Sequence, residues 1–280
     1  MNRSLILQKS EGGPAAAGGD DPPMNDDCIA LNVGPDIALY HCGPVLDHGP
    51  LPSLFYFALS GPDSLSLDPF NQPVQFLRGR MIRAFSLTLP AHESGLPAAE
   101  ALKAWAEDYS RGFDSLGNFL DSCFAAVDFA VRERFADPEK MAIAGLSRGG
   151  LLAFHAAARD ERFRFVLGFS PITQLHKAKE FASLQENPLV RSYDAVNACD
   201  ALSNRHVRLY IGNRDTRVDT RSCYEFAMAL ADRAHHKKIR SPQIEFYMTA
   251  SIGQMGHGTS PEIFHRGAEW SASCWLGKNE

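Results

Sequence analysis

The sequence predicts an α/β protein in which a mainly parallel central sheet carries helices on both faces. Strand-like apolar segments alternate with helix-favouring segments almost to the C-terminus, and this alternation is typical of parallel sheets. Several strand-like segments are continuous apolar runs, as expected of strands that are buried on both faces. The chain has 280 residues, of which 45% are hydrophobic, so it can bury a large core within one domain.

The first part of the domain is expected to supply a hairpin and two further strands. The short β-type runs CIALNVG (28–34) and DIALYHC (36–42) meet at Gly-Pro, which predicts the hairpin. The further strands are predicted in SLFYFALSG (53–61) and IRAFSLTLP (82–90), with a short helix around 74–80 between them.

An amphipathic helix is predicted ahead of the central strand. Seven apolar residues recur at helical spacing and should share one face: Leu116, Phe119, Leu120, Cys123, Phe124, Val127 and Val131. Asp137-Pro138 interrupts this pattern, and MAIAGLS (141–147) begins a new strand. LLAFHAAA (151–158) is alanine-rich and favours a helix, so the local order is strand, tight turn, helix.

The last part of the chain continues the alternation. Strands are predicted in FRFVLGFSP (163–171), HVRLYIGNRD (206–215) and QIEFYMTAS (243–251), and helices near 219–235 and 261–275. At the other end, GGPAAAGGDDPPMNDD offers almost nothing to pack, so residues 1–27 are interpreted as a flexible leader and 28–280 as the domain.

Composition and charge exclude some classes of function. The formal net charge is -5, so no basic field favours a nucleic acid. No stretch approaches the roughly 18 apolar residues of a membrane span, and MNRSLILQ is too short a run for a signal peptide. The six cysteines form no C-x-x-C pair and are expected to be reduced and mostly buried, which favours the cytoplasm.

The stretch MAIAGLSRGG places Ser147 in a G-x-S-x-G motif between the predicted strand and helix. A nucleophilic serine at such a strained turn needs small neighbours, because a Cβ at the flanking glycines would collide with nearby backbone. Gly145, Gly149 and Gly150 meet that need. The alternative is an ordinary strand-to-helix turn in which the serine only caps the helix.

A serine hydroxyl needs a base to take its proton and an acid to orient that base. Asp215 follows the strand HVRLYI, and His257 lies between two glycines after the strand QIEFYMTAS. Asp219 is a rival for the acid, although a solvated loop carboxylate is the simpler interpretation of it. The other histidines considered are expected to pack or to face solvent: His155, His235, His236 and His265.

The motifs resemble the prolyl-oligopeptidase and dienelactone-hydrolase branches of the α/β-hydrolase superfamily. The run DFAVRERFADPEKMAIAGLSRGGLLAF is similar to their nucleophile region, RLYIGNRDTRVDT to their G-x-x-D-x-x-V acid loop, and GHG to their histidine loop. The resemblance implies the α/β-hydrolase fold, with Ser147 as nucleophile, His257 as base and Asp215 as orienting acid. It also implies that residues 172–203 are a short cap-like insertion.

Two backbone amides are expected to form the oxyanion hole. The N–H of Arg148 is free at the helix N-terminus, beside the nucleophile. The second donor should follow the strand SLFYFALSG, where many relatives have His-Gly-x and this chain has Ser60-Gly61-Pro62. The Ser-Gly pair also resembles S-formylglutathione hydrolases. Proline has no N–H, so Gly61 is chosen over Asp63, and the Ser60 hydroxyl could assist or stabilise the turn.

The expected function is hydrolysis of a carboxylic ester, thioester or amide of a small molecule through an acyl-enzyme, without cofactor or metal. An esterase is favoured because too little chain precedes Ser147 for the propeller of the oligopeptidases. A peptidase, an acyltransferase and a non-catalytic binding protein are the alternatives. Arg148 and Arg217 could hold a substrate carboxylate or pair with structural acids. No substrate or oligomeric state is predicted.

One further helical pattern concerns the substrate pocket. In AAEALKAWAEDYSRGF four apolar side chains recur near one helical face: Leu102, Trp105, Tyr109 and Phe113. Core packing is the simpler interpretation of this face, and a wall of the pocket is the alternative.

Overall fold

A computed structural model describes residues 24–93 and 96–276 of the chain. Its strands are β1 (Met24–Gly34), β2 (Ile37–Pro44), β3 (Leu51–Phe57), β4 (Arg83–Ser86), β5 (Ala136–Leu146), β6 (Phe163–Phe169), β7 (His206–Gly212) and β8 (Ile244–Thr249). They form one sheet in the order β1-β2-β4-β3-β5-β6-β7-β8. The first strand begins at Met24 rather than at Cys28, and the rest of the predicted leader lies outside the described residues.

The sheet is mainly parallel, as predicted. β1 and β2 form the expected antiparallel hairpin, and β2 is also antiparallel to β4. From β4 through β3 and β5 to β8, every neighbouring pair is parallel. The carboxyl ends of these parallel strands therefore meet at one edge of the sheet, where ligands bind in such folds.

Helices cover both faces of the sheet. They are α1 (Gly61–Ser66), α2 (Gln72–Leu77), α3 (Ala101–Ser110), α4 (Ser115–Arg132), α5 (Arg148–Arg159), α6 (Pro188–Ser192), α7 (Cys199–Leu202), α8 (Thr220–His236) and α9 (Pro261–Leu276). Side chains of α3, α4, α5 and α8 join one buried apolar cluster, and those of α1, α2 and α9 join a second. Along β3, Phe55 and Phe57 belong to the first cluster and Leu54 and Tyr56 to the second. This alternation follows from the two-residue period of a strand.

The helix predicted ahead of the central strand is α4. Its N-cap is Asp114, whose Oδ1 accepts the N–H of Gly117 at 2.9 Å. Most of the apolar residues predicted to share its face are buried against the sheet. β5 starts earlier than expected: Ala136 pairs with Leu51, and regular pairing resumes at Met141 after an irregularity. A proline is tolerated at this strand start because its missing N–H interrupts no regular ladder.

The prediction of four apolar residues on one face of α3, the helix before α4, is wrong for Phe113. Leu102, Trp105 and Tyr109 are buried on α3, which supports core packing. The helix ends at Ser110, and Gly112 then adopts a φ of 76°, so Phe113 leaves the helical face and is 52% exposed. Residues 172–203, the predicted insertion, contain α6, α7 and short 3₁₀ turns, one of which is Lys179–Leu184.

Candidate active site

Ser147 lies in a tight turn between β5 and α5. Its backbone has φ 56° and ψ -116°, a strained conformation for a residue with a side chain. The surrounding backbone holds it there: its N–H donates to the carbonyl of Phe169 at 2.8 Å, and its carbonyl accepts the N–H of Ile172 at 3.0 Å. This geometry lifts the hydroxyl to the carboxyl edge of the sheet.

The glycines around Ser147 are required by close backbone packing. A Cβ on Gly145 would lie 2.1 Å from the carbonyl carbon of Gly149. A Cβ on Gly149 would lie 2.0 Å from the carbonyl oxygen of Phe57 on the neighbouring strand. Neither backbone atom can move aside without displacing the sheet, so the turn depends on these residues.

The structure brings the three predicted side chains into one hydrogen-bonded chain. Nε2 of His257 lies 3.0 Å from Oγ of Ser147, and Nδ1 of His257 lies 2.7 Å from Oδ2 of Asp215. The side chain of Asp215 has no exposed surface, whereas that of His257 is 20% exposed. The imidazole therefore bridges a buried carboxylate and a hydroxyl at the sheet edge.

The loop after β7 fixes the carboxylate of Asp215. Its Oδ1 accepts the N–H groups of Arg217 at 2.9 Å and Val218 at 3.1 Å, which leaves Oδ2 for the histidine. Thr220 ties the loop to the strand, because its Oγ1 accepts the N–H of Asp215 and donates to the carbonyl of Gly212. The acid thus has partners for both oxygens, which offsets the cost of burying its charge.

The rival acid, Asp219, caps a helix. Its carboxylate accepts the N–H of Ser222 at 3.1 Å and the hydroxyl of the same serine at 2.6 Å, at the start of α8. Burial raises the pKa of Asp219, but these hydrogen bonds lower it more, so the net shift is downward. The sequence alone favours a solvated loop carboxylate for Asp219 and does not reveal this helix-capping role.

The other histidines take the packing or surface positions predicted for them. His155 is buried in α5, and its Nε2 hydrogen-bonds the carbonyl of Tyr193 at 2.9 Å. His235 and His236 are exposed near the end of α8. His265 is exposed on α9, 3.3 Å from Oε1 of Glu269.

Of two neighbouring backbone N–H groups in the loop after β3, one is hydrogen-bonded and the other is not. Gly61 donates its N–H to Oγ1 of Thr88 at 3.0 Å, so this predicted oxyanion donor is already hydrogen-bonded. The N–H of Ser60 has no partner among the described residues. The Ser60 hydroxyl caps α1, accepting the N–H of Asp63 at 3.1 Å and donating to its carboxylate at 2.7 Å. The Ser60 hydroxyl thus has the turn-stabilising role. The contact between Gly61 and Thr88 could not be predicted from the local sequence.

A cavity of ≈ 1020 Å³ opens along this loop. Its lining includes Tyr40 of β2, Ser60, Asp63, His92, Phe113 and Phe119 of α4. Nε2 of His92 is buried without a hydrogen-bond partner among the described residues. Burial, and then the nearby charge of Arg148, lower the pKa of His92 to about 4, so its ring is neutral at pH 7.

Arg148 and Arg217 have different surroundings. Arg217 forms a two-pronged ion pair with Glu180 of the insertion, at 2.8 Å and 3.3 Å. The side chain of Arg148 forms no hydrogen bond or ion pair with any described residue, and its Nε is buried. The sequence indicates both arginines as candidates but does not predict the contact with Glu180, which joins two distant segments of the chain.

The described part of the chain contains neither a cluster of metal-binding side chains nor a membrane-spanning helix. No group of three or more His, Cys, Asp or Glu side chains there is arranged to hold a metal ion. No helix in the same residues is long and apolar enough to cross a bilayer.

Comparison with known proteins identifies the family. A profile of the prolyl oligopeptidase family matches residues 104–270, which include Ser147, Asp215 and His257. The chain belongs to the prolyl oligopeptidase family. It is thus a member of a serine hydrolase family with the α/β-hydrolase fold. A search of curated proteins finds no match.

Solved structures with the same fold include TT1662, a peptidase and an esterase. TT1662 of Thermus thermophilus is 17% identical with a TM-score of 0.66, over 92% of this chain and 100% of that one. A puromycin-hydrolyzing peptidase of Mycobacterium tuberculosis is 19% identical with a TM-score of 0.62, over 89% and 39%. A cold-adapted esterase from an Arctic intertidal metagenomic library is 18% identical with a TM-score of 0.60, over 87% and 91%. At these identities the likeness concerns the fold alone.

Proposed function

We propose that this family member hydrolyses carboxylic esters through an acyl-enzyme, with Ser147 as nucleophile, His257 as general base and Asp215 as orienting acid. The single observation that carries this proposal is the continuous hydrogen-bonded chain from Oδ2 of Asp215 through the imidazole to Oγ of Ser147. Such a chain converts a weak hydroxyl nucleophile into an activated one.

In the first step Oγ of Ser147 attacks the acyl carbonyl while Nε2 of His257 takes the hydroxyl proton. The buried carboxylate of Asp215 stabilises the imidazolium that forms and keeps Nε2 directed at the serine. The same proton then passes to the leaving alcohol as the C–O bond breaks. Water attacks the acyl-enzyme by the reverse sequence, releasing the acid and restoring the serine.

The oxyanion of the tetrahedral intermediate needs donors that are already in place. The N–H of Arg148 is proposed as the first, because it opens α5 directly after the nucleophile and the helix dipole favours negative charge there. Two amides of the loop after β3 are candidates for the second. The Ser60 N–H is unengaged, whereas the Gly61 N–H, the original candidate, must first leave the hydroxyl of Thr88.

An ester is preferred over an amide as the substrate class, and the peptidase is the second candidate function. The cold-adapted esterase has the same fold over 91% of its length, so this fold in a chain of similar size is compatible with the ester proposal. The family description and the puromycin-hydrolyzing peptidase favour the second candidate. The two are separated by comparing an alanine aryl ester with the matching alanine aryl amide as substrates.

Labelling with a fluorophosphonate tests the nucleophile directly. The wild-type protein should be labelled, and the adduct should map to Ser147 by peptide mass spectrometry. The Ser147→Ala variant should not react, while Ser170→Ala, at the next strand end, should label like the wild type. A folded wild-type protein that fails to label would favour a non-catalytic binding protein.

Acyl acceptors separate hydrolysis from acyl transfer. Esterase action predicts that the free acid is the main product when a labelled ester is supplied with a small alcohol or amine. An ester or amide of the added acceptor as the main product would instead identify an acyltransferase, which shares the acyl-enzyme.

A further inference from the structure

Arg148 carries a positive charge that no described residue pairs with directly. Arg148 follows the nucleophile directly in sequence. The Nε atom of its guanidinium is buried, and no hydrogen bond or ion pair with a described residue holds the group. Its two Nη atoms are not among the buried unpartnered atoms, so each keeps some exposed surface. A buried donor without an acceptor costs free energy, and a charged one costs more.

The residues around Arg148 leave its positive charge without a free acidic partner. Glu180 is the nearby acid, but it is already bound by Arg217 in a pair whose side chains are only 10% and 21% exposed. Glu180 therefore pairs with Arg217 and offsets the charge of Arg148 only through space. Burial, and then repulsion by Arg217, lower the pKa of Arg148 to about 10, which leaves it charged at pH 7. His92 is close enough to respond to the Arg148 charge, but its neutral ring supplies no counter-charge.

We propose that the guanidinium of Arg148 selects substrates that carry a carboxylate close to the scissile carbonyl. The inference rests on the proposed ester hydrolysis at Ser147 and names its substrate class. A carboxylate matches the planar fork of a guanidinium and would supply the acceptor that the protein lacks. The carboxylate must lie within a few bonds of the scissile carbonyl, because the arginine backbone lies next to the nucleophile and its stem has only three methylene groups.

The cavity along the loop after β3 is lined by Ser60 but not by Ser147, Arg148 or His257, and in this proposal it receives the rest of the substrate. Four of its lining residues are acids: Asp36, Asp63, Glu93 and Asp108. These carboxylates disfavour a second anion there, whereas apolar lining residues such as Tyr40 and Phe119 can contact an uncharged group. The substrate class is therefore a half-ester of a short dicarboxylic acid, with one free carboxylate and an uncharged remainder.

A pair of esters that differ in charge but little in shape tests this selection. Monomethyl glutarate carries a carboxylate, and the methyl ester of glutaric acid monoamide replaces it with a neutral amide. Methanol release gives kcat and KM for each. In the wild type, kcat/KM for the carboxylate should exceed that for the amide at least tenfold. The Arg148→Met variant should lose at least tenfold of this ratio, chiefly through a higher KM for the carboxylate.

Matched variants separate a specific contact from a general effect of charge. Arg221→Met removes an exposed arginine of α8 and should keep the wild-type ratio. Arg148→Lys retains a charge without the fork and should give an intermediate ratio. Circular dichroism should first show that each variant is folded. An unchanged ratio in both Arg148 variants, or a wild-type preference for the amide, would overturn the proposal.

A binding measurement distinguishes failure of this inference from failure of the proposed function. The Ser147→Ala variant should bind monomethyl glutarate in calorimetry, and Arg148→Met in the same background should weaken binding at least tenfold. Binding of this kind without fluorophosphonate labelling of the wild type would overturn ester hydrolysis but retain the anion site. If the wild type is labelled and turns over esters, but Ser147→Ala binds monomethyl glutarate equally well with and without Arg148→Met, the anion site alone would be overturned.

Discussion

Oδ2 of Asp215 lies 2.7 Å from Nδ1 of His257, and the carboxylate that makes this contact has no exposed surface. Its other oxygen is held by two backbone N–H groups of the same loop. The direction of the carboxylate is therefore set by the backbone and leaves one oxygen for the imidazole. This arrangement predicts that substitution of Asp215 lowers kcat far more than substitution of the neighbouring Asp219.

Replacing Asp215 with Asn should lower kcat by on the order of 10⁴, because an amide cannot stabilise the imidazolium and favours the wrong tautomer. The protein should remain folded, since the amide oxygen can still accept the two backbone N–H groups. Asp219→Asn is the matched control and should have little effect, because Asn is also a good N-cap. The measurement is kcat for both variants, and the opposite ranking would assign the acid to Asp219.

The order of the elements and the three candidate side chains could be predicted from the sequence. Each candidate follows a strand, and parallel strands bring their carboxyl ends together, so a linear pattern was enough. The glycines around Ser147 carry the same information, since an added Cβ would overlap backbone at Gly145 and Gly149 and would overlap Pro171 at Gly150.

The contacts that distinguish the individual polar groups could not be predicted. Thr88 engages Gly61 and Glu180 engages Arg217 across long stretches of chain, and neither contact leaves a periodic pattern. Phe113 was misplaced for a local reason, because a glycine with positive φ ended its helix earlier than the apolar spacing indicated. Such contacts decide which polar groups remain free for a ligand, so the sequence alone could not tell these groups apart.

His257→Ala should reduce kcat by roughly 10⁶, as removal of a triad base does when the serine is no longer activated. Binding of substrate should change little, because the imidazole acts mainly on the transition state. Rate and affinity should therefore be measured separately, by steady-state kinetics and by calorimetry in the Ser147→Ala background. Weaker binding with kcat unchanged would make His257 a substrate contact instead of a base.

Gly149→Ala should destabilise the fold by about 1–3 kcal/mol or more, because the new methyl group would overlap the carbonyl oxygen of Phe57. Activity should fall as well, since relief of the overlap displaces the turn that holds Ser147. Gly34→Ala is the control: no atom lies within 4 Å of its added Cβ, so urea denaturation should show a change of at most about 0.5 kcal/mol. Equal stability of the two variants would contradict the close packing at the turn.

The pH dependence of stability should report the buried His41. Burial, and then the charge of Arg83, lower the pKa of His41 to about 4, from 6.5 for an ordinary histidine. As the pH falls below about 6.5, the unfolded chain binds a proton that the folded protein does not bind. Stability contributed by neutral His41 is thus present above pH 6.5 and is lost progressively down to about pH 4, at roughly 1.4 kcal/mol per pH unit.

The His41→Leu variant isolates this contribution. Leucine keeps the core position apolar and cannot titrate, so the slope of unfolding free energy against pH should become shallower by up to about 1.4 kcal/mol per unit between pH 6 and pH 4.5. His92 and His155, whose pKa values burial also lowers, should retain part of the slope. Urea denaturation at a series of pH values measures it, with His48→Leu, at an exposed position, as the control. If the slope of His41→Leu equals that of the wild type, His41 takes up its proton in the folded protein as readily as in the unfolded chain, despite the charge of Arg83.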